Sequence, residues 1–224
     1  RPYLGINSMG PRPQRPADVV KLGDVVRIRW QDDETAVFSQ VPQAQAAYFP
    51  FQVREMVLMG RASRISTFAA PSLADRTAAD RALAMLGIDH LAARPFTEIS
   101  GGERQMALIA RALAQEPAML VMDEPTASLD FGNQARVLET IRSLSASGLA
   151  IVLSTHDPGH AFACADRVAL MKAGRIVAIG APQDVLTAEA LRGLYGVEVA
   201  VEFMQQAGRH VCAPTLAQPE EGVS

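Results

Sequence analysis

The stretch from residue 98 to residue 130 constrains the chain most. Glu98-Ile99-Ser100-Gly101-Gly102-Glu103 leads into a segment in which Met106, Ile109, Ala110 and Leu113 recur at i, i+3, i+4 and i+7. That spacing predicts an amphipathic helix preceded by a Ser-Gly-Gly turn. The first turn of such a helix presents N–H groups without intrahelical acceptors, and Gly101 and Gly102 leave room for an anion to approach them. Beyond the helix, the apolar run from Ala118 to Met122 reads as a buried strand ending in two carboxylates, Asp123 and Glu124. Open α/β sheets bind ligands at the carboxyl ends of their strands, so the pair is expected at a binding edge. Plainer readings fit the single pieces. Ser100-x-x-Glu103 is also the pattern of an ordinary capping box, and an Asp-Glu pair after a strand is also found in solvated loops.

Taken together, these residues resemble the ATP-binding-cassette (ABC) ATPases. Ile99-Ser100-Gly101-Gly102-Glu103-Arg104-Gln105 is similar to the family's Leu-Ser-Gly-Gly-Gln signature. Leu120 to Thr126 looks like its Walker B strand, and Ala127-Ser128-Leu129-Asp130 like its D-loop. The resemblance implies an α/β fold, a P-loop NTPase-like (RecA-like) core sheet with an inserted α-helical subdomain. It covers roughly residues 36 to 203 and departs from the family at the front. No G-x-x-x-x-G-K-[ST] phosphate loop, the Walker A motif, occurs in the sequence. The core is therefore read as N-terminally incomplete, a shortened or altered N-terminus on an ATPase sequence. Tyr3 and Trp30 are the only guesses for an aromatic stacked on adenine, and neither is anchored by a motif.

Composition sets the outer limits. A chain of 224 residues suits one domain, or a domain with a subdomain. A net charge of -3 makes no electrostatic case for nucleic acid as a partner. The longest apolar runs, such as Leu149 to Leu153, are too short to span a bilayer, and the first residues lack a signal-peptide pattern. Cys164 and Cys212 make no disulfide framework and fit a reducing compartment, so a cytoplasmic protein is expected.

Along the chain, residues 1–18 read as an irregular lead-in, rich in proline and arginine. Asp24 to Trp30 alternates like a strand, and Ala36-Val37-Phe38 is a second short apolar piece leading to Gln43. Asp75 to Leu86 is predicted helical, with Ala79, Ala82, Leu83 and Leu86 on one face and Gly87 as the stop. Val137, Leu138, Ile141 and Leu144 mark another helix, begun near Asp130 and stopped at Gly148. Leu149 to Leu153 reads as a buried parallel strand followed by Ser154-Thr155-His156-Asp157. Runs 168–171 and 176–179 form a hairpin around Gly174, residues 183–195 look helical, and Val197 to Phe203 alternates like a strand. From residue 213 the composition looks disordered. The organisation expected is a lead-in (1–18), an ATPase core (19–45 and 118–203), a helical subdomain with the signature (46–117) and a C-terminal tail (204–224).

The remaining roles are implied by the resemblance alone. Gln43 takes the Q-loop position and, with Asp123, would hold Mg2+, partly through water. Glu124 would be the general base and His156 the switch histidine that contacts the γ-phosphate. Ser100, Gly101, Gly102 and Asp130 would touch ATP across a head-to-tail dimer, each signature capping the nucleotide of the other domain. His90, His160 and His210 are read as surface or packing residues. Tyr48 to Arg61 looks like the segment after the Q-loop in importers of the iron-siderophore, haem, cobalamin and molybdate type. The implied partners are a second ATP-binding domain, transmembrane permease subunits and, indirectly, a substrate-binding protein, with no nucleic acid. The implied location is peripheral, on the inner face of the cell membrane. The alternative is a degenerate subunit that binds partners without hydrolysing ATP.

Overall fold

Short apolar runs become strands, and longer periodic stretches pack against them. In a computed structural model, which describes residues 3–7, 18–22, 25–29, 38–41, 50–64 and 70–216, the chain begins with β1 (Tyr3–Asn7), β2 (Asp18–Leu22), β3 (Val25–Arg29) and β4 (Phe38–Val41). Helices α1 (Val53–Leu58), α2 (Leu73–Met85) and α3 (Gly101–Leu113) follow, then β5 (Met119–Asp123), α4 (Phe131–Ala146), β6 (Ala150–Thr155) and α5 (Pro158–Cys164). The chain continues through β7 (Arg167–Lys172), β8 (Arg175–Gly180), α6 (Pro182–Val185), α7 (Ala188–Tyr195), β9 (Val199–Met204) and β10 (Arg209–Pro214).

Six strands form one sheet in the order β4-β5-β6-β1-β7-β8, while β2-β3 and β9-β10 are separate ribbons. β4, β5 and β6 are parallel, with Val41 beside Met122 and Asp123 beside Ser154, so their carboxyl ends share one edge. This is the expected α/β core sheet with a helical insertion between β4 and β5. The sheet and the insertion share one apolar interior, running from Leu83 and Ile109 to Leu120, Ile141 and Leu153, all nearly inaccessible to water. A second cluster, including Ala161, Val168, Leu186 and Leu191, lies between α5, β7 and the C-terminal helices.

Helix ends follow the sequence closely. Ser72 and Asp75 cap α2 reciprocally, and the predicted face Ala79, Ala82 and Leu83 is buried. Arg61 stitches the insertion together, donating from Nε to Asp75 Oδ1 at 3.0 Å and from Nη1 to the Ala114 carbonyl at 2.9 Å. Beside it, Gly60 lets the turn lie against α3, because a Cβ there would strike the Arg111 carbonyl. Gly174 turns the β7-β8 hairpin with φ +76°, a conformation that costs glycine little.

Three expectations are corrected. Tyr3–Asn7, placed in an irregular lead-in, is a strand between β6 and β7. Five residues interrupted by Gly5 carry no readable alternation, but neighbours on both sides satisfy their backbone groups. Residues 183–195 are two helices, because buried Leu186 interrupts the first and Thr187 caps the second by accepting from the Ala190 N–H. The tail expected from residue 204, disordered from 213, instead contains β10, which pairs with β9 and packs on α5 through a contact of His210 with Phe162. Among the described residues no helix is long and apolar enough to cross a membrane.

Candidate functional site

The carboxyl edge of β5 and β6 brings the two turns with chemistry side by side. Ser154 Oγ donates to Asp123 Oδ1 at 2.5 Å, fixing that carboxylate at the end of its strand. The next N–H, that of Glu124, donates to the Ser154 carbonyl at 3.0 Å. Glu124 then turns out of the sheet with φ +50°, which a non-glycine residue adopts only when its surroundings hold it. Its carboxylate is largely enclosed and meets His156 Nδ1 at 2.5 Å from Oε2. His156 is 67% exposed, so the pair opens to solvent on the histidine side. Tyr195, at the end of α7, donates from its hydroxyl to the His156 carbonyl at 2.5 Å.

The signature turn forms a second centre. Ser100 Oγ accepts from the Glu103 N–H at 3.3 Å, and Glu103 Oε2 accepts from the Ser100 N–H at 2.7 Å. The capping-box reading therefore holds, and the Ser100 N–H pulls the Glu103 carboxyl below its ordinary range. Gly101 and Gly102 occupy the first two helical positions of α3, whose N–H groups have no acceptor within the helix. Asp130 caps α4 by accepting from the Asn133 N–H at 2.9 Å, which holds its carboxyl low as well. Asn133 Nδ2 also reaches Asp130 Oδ2 at 2.6 Å, and its side chain lies directly against Gly102. The signature turn and the first turn of α4 are thus in contact within one chain.

This packing makes Gly102→Ala informative. The added methyl would collide with Asn133, which Asp130 holds in place, so the variant is expected to lose about 1–3 kcal/mol of stability. In urea melts, Asn133→Ala should restore part of that loss; a Gly102→Ala protein as stable as the parent would contradict the contact.

Strand β1 runs antiparallel to β6, away from the carboxylate edge. Tyr3 lies opposite Thr155 at this edge and Asn7 opposite Ile151, so β1 leaves the sheet at the far side. Gln43 and Trp30 lie outside the described residues, as do the side chains of β1, Tyr3 among them. Among the described residues no group of three or more His, Cys, Asp or Glu could hold a metal. Asp123, with its carboxylate oxygens and the Ser154 hydroxyl beside it, matches the oxygen chemistry that Mg2+ requires, and Mg2+ needs only one or two protein carboxylates.

Sequence reading missed three participants. Ser154 and Tyr195 fix Asp123 and His156, and His160 lies beneath the same edge with Thr126 and Thr155 on its Nδ1. For Ser154 the available signal was its place directly before the Thr155-His156 pair; Tyr195 is remote in sequence and carried none. Burial above all holds the His160 imidazole below its ordinary value of 6.5, with Asp157 opposing and His156 assisting that shift. The sign follows from linkage. The unfolded chain takes up a proton at higher pH than the folded one, so stability is complete above about pH 6.5 and falls as pH drops below it. Denaturation midpoints from pH 7 to pH 5 should show a shallower slope in His160→Asn; an unchanged slope would remove His160 as its source.

Comparison with known proteins fits this geometry. The sequence pattern of the ABC transporter family matches residues 17–127. An uncharacterized ABC transporter ATP-binding protein of Haemophilus influenzae is 41% identical over 182 residues, covering 77% of this chain and 68% of its own length. The chain belongs to the ABC transporter family. A hemin import ATP-binding protein of Nocardia farcinica is 44% identical over 174 residues, 78% of this chain and 60% of its own length. An inward-facing ABC transporter structure assigned to the metal-chelate type superposes with a TM-score of 0.76 at 33% identity, covering 86% of this chain and 75% of that one. The chain thus spans about 60% to 68% of the length of these two curated relatives. The family implies ATP binding and ATPase chemistry, and the α/β core with its helical insertion is the family's P-loop NTPase fold.

Proposed function

We propose that this ABC protein is the ATP-hydrolysing subunit of an importer for a metal chelate or related small solute. The observation that carries the reading is the Asp123-Glu124 pair at the β5 edge, with His156 at 2.5 Å from Glu124. Phosphoryl transfer to water needs an oriented nucleophile and stabilisation of charge on the γ-phosphate. Glu124 accepts the proton of the attacking water, and its enclosed carboxylate lies where a base has few competing solvent contacts. His156 contacts the γ-phosphate from the exposed side of the same pair. Asp123, aided by Gln43, would hold Mg2+, which would supply neutralisation of the phosphate charge.

Ser100, Gly101, Gly102 and Asp130 act on the nucleotide of a second ATP-binding domain, packed head to tail. That dimer sits under transmembrane permease subunits on the inner face of the cell membrane, and a substrate-binding protein delivers the cargo. Residues 46–117 make the helical subdomain, and 19–45 with 118–203 make the core, to which strand β1 (Tyr3–Asn7) adds. The import direction and metal-chelate cargo are supported by the hemin import relative and the metal-chelate type structure.

The test is magnesium-dependent ATP turnover by the chain assembled with its permease. Turnover stimulated by cargo-loaded binding protein is expected. Neither nucleotide binding nor turnover would replace this reading with that of a subunit that binds its partners without hydrolysis.

A further inference from the structure

We propose that His160 is a positioning residue that ties the Glu124 turn to the His156 turn and so sets the geometry of the Glu124-His156 pair. The proposal rests on the reading of that pair as the hydrolytic centre. Its observations are geometric. His160 sits in the first turn of α5, its side chain 12% exposed, and faces both strand ends at once. Nδ1 is 3.2 Å from Thr126 Oγ1, two residues after Glu124, and 3.1 Å from Thr155 Oγ1, directly before His156. Thr126 and Thr155 are themselves buried, so neither hydroxyl exchanges this partner freely for water.

The neighbours favour one set of hydrogen-bond directions. Nε2 faces Asp157 Oδ2 at 3.4 Å, so the ring proton belongs on Nε2 and the Nδ1 lone pair accepts. Thr155 Oγ1 already accepts from the Asp157 N–H at 3.1 Å, which leaves its own hydrogen for Nδ1. Thr126 approaches the same lone pair from the other turn. Its loop is closed by the Ala127 N–H donating to the Glu124 carbonyl at 3.0 Å, and it begins with Glu124 in the left-handed conformation. A residue so held needs fixed surroundings, and His160 supplies one contact on the far side of the turn. The same imidazole sits under His156 by way of Thr155. One ring thus sets the separation of two side chains that it does not touch.

The test has a readout that does not depend on ATP. In 15N-histidine-labelled protein, His160 should show the Nε2–H tautomer, and Glu124→Gln should move the His156 Nδ1 signal, because Nδ1 faces that carboxylate. In a His160→Leu background the response of His156 to Glu124→Gln should shrink by at least half. His160→Asn, whose amide oxygen can replace Nδ1 as acceptor, should recover it. Thr126→Val, which keeps shape and removes only the hydroxyl, should weaken it as well and serves if His160→Leu does not fold. In the assembled transporter, His160→Leu should lower kcat on the order of 10-fold to 100-fold with little change in KM for ATP. An undiminished His156 response in folded His160→Leu or Thr126→Val protein would overturn the proposal. Absence of ATP turnover in the parent would overturn the hydrolytic reading and leave the coupling measurement standing.

Discussion

Glu124→Gln is expected to lower magnesium-dependent ATP turnover on the order of 10²-fold to 10⁴-fold, the loss that accompanies removal of a general base. The amide is nearly the same shape as the carboxylate but cannot take a proton from water. Its oxygen can still accept from His156 Nδ1, so the turn should keep its place. Nucleotide affinity should therefore survive while turnover fails, and the two are separable by equilibrium binding of a fluorescent ATP analogue and by phosphate release. Turnover within threefold of the parent would assign the base elsewhere. His156→Ala should also lower turnover; that variant leaves Glu124 without its partner and need not preserve the turn.

Leu120→Ala should destabilise the fold by about 2–5 kcal/mol, a large share of the 5–15 kcal/mol that holds a typical domain together. Leu120 is fully buried on β5, paired in register with Ile151 on β6 and part of the interior shared by sheet and helical insertion. Removing its side chain opens a cavity flanked by elements that cannot all move inward together. Since β5 also carries Asp123 and Glu124, the loss should appear in urea titrations as a lower midpoint, and nucleotide binding should fail at lower temperature than in the parent. A loss below about 1 kcal/mol would mean that the neighbours collapse into the space.

Most of the architecture was legible because its apolar patterns are long or sharply bounded. The α3 face, the β5 run and the helix from Asp130 all fall within a few residues of their expected limits. Asp123 and Glu124 were readable as a pair because they close an apolar strand, whereas His156, after the next strand, was singled out only by the resemblance to the family. The structure brings Glu124 and His156 together, and it brings Gly102 against Asn133, whose N–H the Asp130 cap accepts. What escaped the sequence depends on distant partners. The β1 strand is specified by its neighbours on either side rather than by its own five residues. β10 became visible only once Gly208, at φ +62°, turned the chain back on β9. His160 reads as any buried histidine until Thr126 and Thr155 are seen on its ring.

The bond from Tyr195 to the His156 carbonyl closes a loop of chain. Starting at His156, the backbone runs through α5, β7, β8, α6 and α7 before Tyr195 brings it back to its point of departure. Lys172 adds a strut across this ring by donating to the Gly193 carbonyl at 2.6 Å. In a closed frame, a displacement imposed at one corner is shared by all the others. A load applied to the last helix would therefore reach the histidine turn directly through the Tyr195 hydroxyl.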